Sequence, residues 1–354
     1  MLFLFVILLL PVPCHAAPGA SYIVTEASSG MVLCGENENI RLPMASTTKI
    51  MTALVVLEHT TGKERVEISR QSAAIEGSKM YLNAGETYTV DDLLCGLMLV
   101  SGNDAADALA CFVAGSEEKF ALLMDQKASE IGLDNTRFKN ASGLDADGHF
   151  TTAFDLAKLT AVALQNEKFA RIVRMKTCDV AGKTLVNHNK LLFRIDGCIG
   201  VKTGYTKKSG RCLVSAVQKD GVTLICVTLD CPDDWARHSS LYREQFERCK
   251  LEKVLDEKKV YLAQAIAGGP DIGCFNRTVY GVVTDGKKDI RYDILKPRFS
   301  YIGVKKGDVV GTLVVYNGET PVARAPLFAD RDARAYERKR SLFKRLLAFL
   351  RRKQ

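Results

Sequence analysis

Ser46 and Lys49 are the residues whose types and spacing best suit chemistry. They open the stretch Pro43-Met44-Ala45-Ser46-Thr47-Thr48-Lys49-Ile50-Met51-Thr52-Ala53-Leu54-Val55-Val56-Leu57. From Ile50 to Leu57 only Thr52 is polar, which predicts a helix buried on nearly every side. The upstream Pro and the Ser/Thr run put its N-terminus near Ser46. Residues three apart share one face of a turn, so the hydroxyl and the ammonium should meet. An unpaired ammonium is costly to bury unless a polar cleft holds it or it gives up its proton. A desolvated lysine beside a serine is a general base for a nucleophilic hydroxyl, and the helix N-terminus favours a nearby oxyanion. Ser-x-x-Lys recurs at Ser116–Lys119 and Ser341–Lys344, but both lie among charged residues. Only Lys49 is set into an apolar helix.

Two further clusters carry short polar side chains. Ser101-Gly102-Asn103 breaks an apolar helix over Val90–Val100 from a second one beginning at Asp104. Asn103 or Asp104 acting as an ordinary helix cap is the competing reading. Lys202-Thr203-Gly204-Tyr205-Thr206 reads as a strand edge, with Lys202 a point charge and Thr203 a hydroxyl for a carboxylate. Gly204 would let a ligand backbone come close, although simple turn chemistry gives the same tripeptide. His149 follows a Gly/Asn/Asp-rich loop beside Phe150 and reads as structural. No Cys-x-x-Cys or His-Glu-x-x-His is present, so neither a metal site nor a cofactor is expected.

These clusters must be positioned by a larger frame. Tyr22–Val24 and Met31–Leu33 flank a Ser-Ser-Gly turn and predict a hairpin that feeds the Ser46 helix. Val66–Glu86 reads as polar and irregular. Phe120–Ile131 predicts an amphipathic helix, and Thr151 or Thr152 should cap another. Cys212–Val217 and Val222–Val227 around Lys219-Asp220-Gly221 predict an antiparallel hairpin, and a helix should run through Phe246 and Leu251. Beyond Leu255 the pattern turns to short alternating strands, with turns at Thr284–Lys287 and Tyr316–Glu319, giving a small all-β domain.

Met1–Leu10 is almost wholly apolar and is followed by small residues, the pattern of a cleaved export signal. Ten of the eleven cysteines lie beyond it and are expected to be mostly free thiols, with one or two bridges compatible with export. From Arg331 to Gln354 ten Lys or Arg face only Asp332 and Glu337, which equals the whole net charge of +8. The body is therefore neutral, and a nucleic-acid footprint on it is not expected. In the tail, Leu342, Phe343, Leu346, Leu347, Phe349 and Leu350 gather among cations, the make-up of a helix lying on an anionic membrane surface. The expected organisation is a leader over 1–17, a first domain over 18–255, a β domain over 256–330 and the tail over 331–354.

Taken in chain order, Ser46-Thr47-Thr48-Lys49, Ser101-Gly102-Asn103 and Lys202-Thr203-Gly204 resemble the serine penicillin-recognising enzymes. The chain is more similar to the low-molecular-weight D-alanyl-D-alanine carboxypeptidases, peptidase family S11, than to class A β-lactamases, which carry Ser-Asp-Asn as the second motif. The likeness runs from Tyr22 to about Leu255, including the Ser142–Phe150 loop, and the β domain and basic tail match that family's plan. It implies an α/β (α+β) transpeptidase-like fold, an antiparallel sheet with a helical lobe, followed by the β domain. It further implies Ser46 as nucleophile, Lys49 as base, Ser101 as proton relay and Asn103 as orienting group. Lys202, Thr203, Gly204 and Arg237 would bind the substrate carboxylate end, with backbone N–H groups of Ser46 and Tyr205 as oxyanion hole. Implied partners are peptidoglycan stem peptides, β-lactams and, through the tail, the outer face of the cytoplasmic membrane. A β-lactamase or a non-enzymatic penicillin sensor would share the acylation site. The first would need a deacylating Glu-x-x-x-Asn, which is missing between Asn103 and Lys202.

Overall fold

The computed structural model describes residues 20–262, 272–284, 289–295 and 303–333. The leader, the tail from Arg338 and most of the Thr284–Lys287 turn lie outside the described residues. The chain divides into two units between Arg248 and Cys249.

In the first unit β1 (Ser21–Glu26) and β2 (Val32–Glu36) form the expected hairpin, with Val24 opposite Cys34. A 3-10 turn over Ala45–Thr48 leads into α1 (Lys49–His59). The α-helix thus starts later than the Ser/Thr run predicts, and no side chain caps it. Thr48 at the cap position already has helical backbone angles, and the Thr47 hydroxyl donates back to the Met44 carbonyl at 2.6 Å. The stretch expected to be irregular holds β3 (Arg65–Glu67) and the short α2 (Arg70–Ala74), and β3 pairs with β4 (Thr87–Thr89). Ser69 caps α2 by accepting from the Ser72 N–H, a signal hidden among other polar residues.

Next come α3 (Val90–Leu99), α4 (Asn103–Ala114), α5 (Glu117–Ile131), α6 (Ala153–Leu164) and α7 (Glu167–Arg174). A reciprocal box between Thr89 and Asp92 starts α3, a device that stabilises a helix by about 1 kcal/mol. Thr152 caps α6, as its position before an apolar run predicts. A small hairpin, β5 (Thr177–Val180) and β6 (Lys183–Val186), precedes the long strands β7 (Cys198–Thr206), β8 (Gly210–Lys219) and β9 (Val222–Leu229), and α8 (Asp234–Arg248) follows.

The main sheet is antiparallel in the order β2-β1-β9-β8-β7. Its inner strands are covered on both faces, which explains why β8 and β9 read as nearly unbroken apolar runs. On one face Ser215 of β8 and Thr228 of β9 hold the two ring nitrogens of His238 on α8, at 2.7 and 3.0 Å. Their neighbours Val214 and Val227 turn to the other face and join the core shared with α1, α3 and α6. The strand that carries Lys202 lies at the edge of this sheet, and its Thr203–Tyr205 stretch lines the cleft described below.

The second unit is all-β: β10 (Lys250–Leu255), β11 (Lys258–Leu262), β12 (Ile272–Asn276), β13 (Val279–Val283), β14 (Ile290–Leu295), β15 (Val309–Asn317) and β16 (Thr320–Ala329). β10 pairs with β13, and the others form a sheet in the order β11-β12-β16-β15-β14. The Asn317-Gly318 turn joins β15 to β16, with Gly318 at φ +60°. The helix ahead of this unit ends at Arg248, so Leu251 lies in β10 rather than in the helix as its apolar spacing suggested. Leu251, Val254 and Leu255 keep the helical spacing, so it is pairing with β13, Leu251 opposite Val282, that sets the strand.

Candidate active site

The 3-10 turn presents Ser46 at its second residue, and α1 carries Lys49 directly behind it. Lys49 is fully enclosed. Its Nζ donates to Ser46 Oγ at 2.9 Å, to Asn103 Oδ1 at 2.7 Å and to the Ser142 carbonyl at 2.5 Å. Burial, and then the neighbouring Lys202, push the Lys49 ammonium well below its usual pKa; Asp104 and Glu117 oppose this. Burial thus favours the neutral amine, the form that can take the Ser46 proton.

The three acceptors come from three separate elements. Asn103 opens α4, with Gly102 as the cap position, so neither Asn103 nor Asp104 is spent as a helix cap. The Asn103 amide donates to the Glu76 carbonyl at 2.7 Å, which fixes its oxygen towards Lys49. Asp104 holds the loop in front of α4 by accepting from the N–H groups of Met80 and Leu82. Ser101, 4% exposed, sits at φ +61° in the cleft wall, and Ala45, just ahead of Ser46, at φ +46°. Non-glycine residues rarely adopt that region, and here two of them flank the reactive groups.

The Ser142 carbonyl belongs to the loop read above as glycine-rich. Asn140 Oδ1 accepts from the Gly143 N–H at 2.7 Å, and Thr52 of α1 donates to the Ala141 carbonyl at 2.7 Å. Gly143 lies at φ +86°, and a Cβ there would fall 1.9 Å from the Ala45 carbonyl oxygen. No other residue lets this loop close onto the Ser46 turn. His149 completes the contact: its Nδ1 accepts from the Lys139 N–H at 3.0 Å and its Nε2 meets the Thr48 hydroxyl at 2.8 Å. Burial lowers its pKa to about 4, so the ring is neutral and donates to Thr48. The structural reading of His149 holds, and the structure it supports is the wall of the site.

β7 closes the opposite side. Lys202 is 1% exposed, its Nζ donates to the Thr203 carbonyl at 2.9 Å, and burial lowers its pKa to about 7. Gly204 packs against the protein itself: a Cβ would stand 3.0 Å from the Ser46 nitrogen and 3.2 Å from the Met44 carbonyl oxygen. Close approach of a backbone was the right reason for a glycine, but the backbone is that of the Ser46 turn. The cleft between these walls has a volume of about 300 Å³ and is lined by Ser46, Ser101, Thr203, Gly204 and Tyr205.

Arg237 is not brought to this cleft. Its guanidinium stacks over the Tyr22 ring at 4.2 Å, above β1, and Tyr22 is separated from β7 by β9 and β8. The guanidinium in the cleft belongs to Arg211, paired opposite Tyr205 across β7–β8 and anchored to Asp234 Oδ1 at 2.8 Å. His188 and Lys190 line the same wall. Their signal in the sequence was only a short basic-and-polar stretch ahead of β7.

A buried lysine bonded to a serine on a turn, beneath an antiparallel sheet edge, defines the class of active-site-serine acyl-transfer enzymes. A family model described as D-alanyl-D-alanine carboxypeptidase matches residues 12–233, and the chain belongs to that family. The chain is 31% identical over 336 residues to the D-alanyl-D-alanine carboxypeptidase DacF of Bacillus subtilis, covering 90% of this chain and 86% of that protein. It is 36% identical over 220 residues to DacB2 of Mycobacterium tuberculosis, covering 60% and 75%. The crystal structure of penicillin binding protein 5 from Haemophilus influenzae superposes with a TM-score of 0.71 at 25% identity, over 91% of this chain and 99% of that one.

Proposed function

We propose that Ser46 and Lys49 carry the serine D-Ala-D-Ala carboxypeptidase reaction of this chain on peptidoglycan stem peptides. The observation that carries this reading is the enclosed Lys49 ammonium, 2.9 Å from the Ser46 hydroxyl and depressed by burial. Neutral Lys49 accepts the hydroxyl proton as Ser46 Oγ attacks the carbonyl carbon between the two D-alanines. The oxyanion lies at the N–H groups of Ser46 and Tyr205. Ser101 passes the proton on to the leaving amine, D-alanine departs, and water then cleaves the acyl-enzyme. Asn103 orients Lys49 throughout. Lys202 and Thr203 hold the substrate's terminal carboxylate, with Arg211 in place of Arg237 as the supporting guanidinium. β-Lactams acylate the same serine. Mass spectrometry tests the reading: a pentapeptide should lose one D-alanine, and penicillin should add its mass to the peptide containing Ser46. An adduct on any other serine would overturn it.

The two lysines predict a pH profile. Lys49 must be neutral to act as base, so kcat/KM should fall as pH drops through its depressed pKa. Lys202 must be charged to attract a carboxylate, so kcat/KM should also fall as pH rises past about 7. A bell with its alkaline limb near pH 7 is the expected result. An alkaline plateau extending to pH 9 would remove Lys202 as the charge that binds substrate.

The enzyme acts outside the cytoplasm. We further propose that the basic amphipathic tail from Arg338 holds it on the outer face of the cytoplasmic membrane. Each tail cation near an anionic surface contributes about 1 kcal/mol. Truncation before Arg338 should release the enzyme from sedimented membranes with unchanged turnover of a small peptide. A truncated form that still sediments would place the anchor elsewhere.

A further inference from the structure

Cys95 is buried on α3, in the turns just before Ser101, and Cys178 is half-buried on β5. They are 83 residues apart in the chain, yet the Cys178 thiol donates to the Cys95 sulfur at 2.9 Å. Cys111, Cys198 and Cys212 donate to oxygen acceptors instead. A disulfide holds its sulfurs about 2.05 Å apart, so closing this pair needs a movement of under about 1 Å. We propose that Cys95 and Cys178 are a disulfide-forming pair, oxidised by exchange with a disulfide donor, that staples the second-motif helix to the β5–β6 hairpin. Neither cysteine belongs to the reaction described above.

The exchange balances without any other oxidant. The more exposed Cys178 sulfur attacks the donor as thiolate, forming a mixed disulfide and releasing the donor's first thiol. The Cys95 sulfur then displaces the second thiol, and its proton ends on that leaving group. One disulfide and two thiols become one disulfide and two thiols. Burial, then the Cys178 contact, raise the Cys95 thiol well above its usual range, which makes it the poorer first nucleophile and sets this order.

The position gives the bond a consequence. α3 runs into the turn that carries Ser101, and the Leu99 carbonyl accepts from the His188 N–H at 3.0 Å. The chain between β6 and β7 therefore already leans on the end of α3, close to the pair. Closing so long a loop restricts the unfolded chain strongly, and a rise of about 10 °C in Tm is expected.

The test treats the purified full chain with glutathione disulfide or with dithiothreitol. Expected are a non-reduced peptide joining Cys95 to Cys178, the loss of two titratable thiols in denaturant, and the Tm rise, all reversed by dithiothreitol. Cys178→Ser and Cys95→Ser should each lose the linked peptide and the Tm response together. A stable glutathione adduct on Cys178 with no Cys95 link would overturn the proposal. So would the same Tm response in Cys178→Ser. The wild-type peptide map decides on its own if either variant folds poorly.

Discussion

Ser46→Ala is expected to end both penicillin labelling and D-alanine release, a loss of roughly 10⁴–10⁶ in rate, with the fold intact. The Lys49 ammonium meets Ser46 through the hydroxyl, and removing it leaves the ammonium bonded to Asn103 and to the Ser142 carbonyl. No buried charge is stranded, so the stability change should be small, within about 1 kcal/mol. The shape of the site also survives, because the Ser46 turn is held by Gly143 and Gly204 through backbone contacts that alanine at 46 does not touch. Labelled penicillin and intact-mass spectrometry read the chemistry, and thermal unfolding reads the fold. Covalent labelling that persists in a well-folded variant would assign the nucleophile to another hydroxyl, with Ser101 the first to examine because it lines the same cleft.

The main lines of this site were legible before any coordinates. Three polar clusters in a fixed order, one of them placing a lysine in an apolar helix, are enough to suggest acyl transfer. The family likeness then names the substrate. The Asp220-Gly221 turn likewise gave away the β8–β9 hairpin, and through it the centre of the sheet. What stayed hidden depends on contacts made far along the chain. The third acceptor for Lys49 is a backbone carbonyl at Ser142, and a carbonyl has no sequence signature. Gly143 reads as one loop glycine among several, and its value emerges only once the loop lies against Ala45. The Cys95–Cys178 contact joins a helix to a hairpin with four helices between them in sequence. Arg237 shows the limit of transferring a role by alignment: it is carried by α8, and α8 spreads over the inner strands rather than the edge. Arg211 was within reach of the sequence, since the Thr206–Gly210 turn pairs Tyr205 with Arg211 across the hairpin. The helix assigned through Leu251 failed for the same reason: Leu251, Val254 and Leu255 keep a helical spacing, and only the pairing of β10 with the distant β13 makes them a strand.

Lys49→Arg is expected to slow acylation of Ser46 by roughly 10²–10⁴, the usual contribution of a general base. Arginine preserves the positive charge, so a purely electrostatic role for residue 49 would tolerate it. It does not lose its proton in a protein, so a base would not. The geometry adds a second obstacle. Lys49 is wholly enclosed and its single nitrogen serves three acceptors on three sides. A planar guanidinium is larger, and fitting it there costs about 1–3 kcal/mol of overpacking. Loss of rate must therefore be separated from loss of fold, and the pH profile does this. On the proposed roles, the native acid limb of acylation should follow Lys49, whose pKa is depressed, and the alkaline limb Lys202 at about 7. In a folded Lys49→Arg variant the acid limb should vanish while the alkaline limb stays in place, because Lys202 is untouched. If the acid limb belongs to another group and the variant is merely misshapen, it would be slower at every pH and keep both limbs. Second-order penicillin acylation rates measured from pH 5 to 9 distinguish the two. If the arginine variant acylates at close to the native rate with both limbs preserved, Lys49 is an electrostatic anchor and the proton leaves Ser46 by another route.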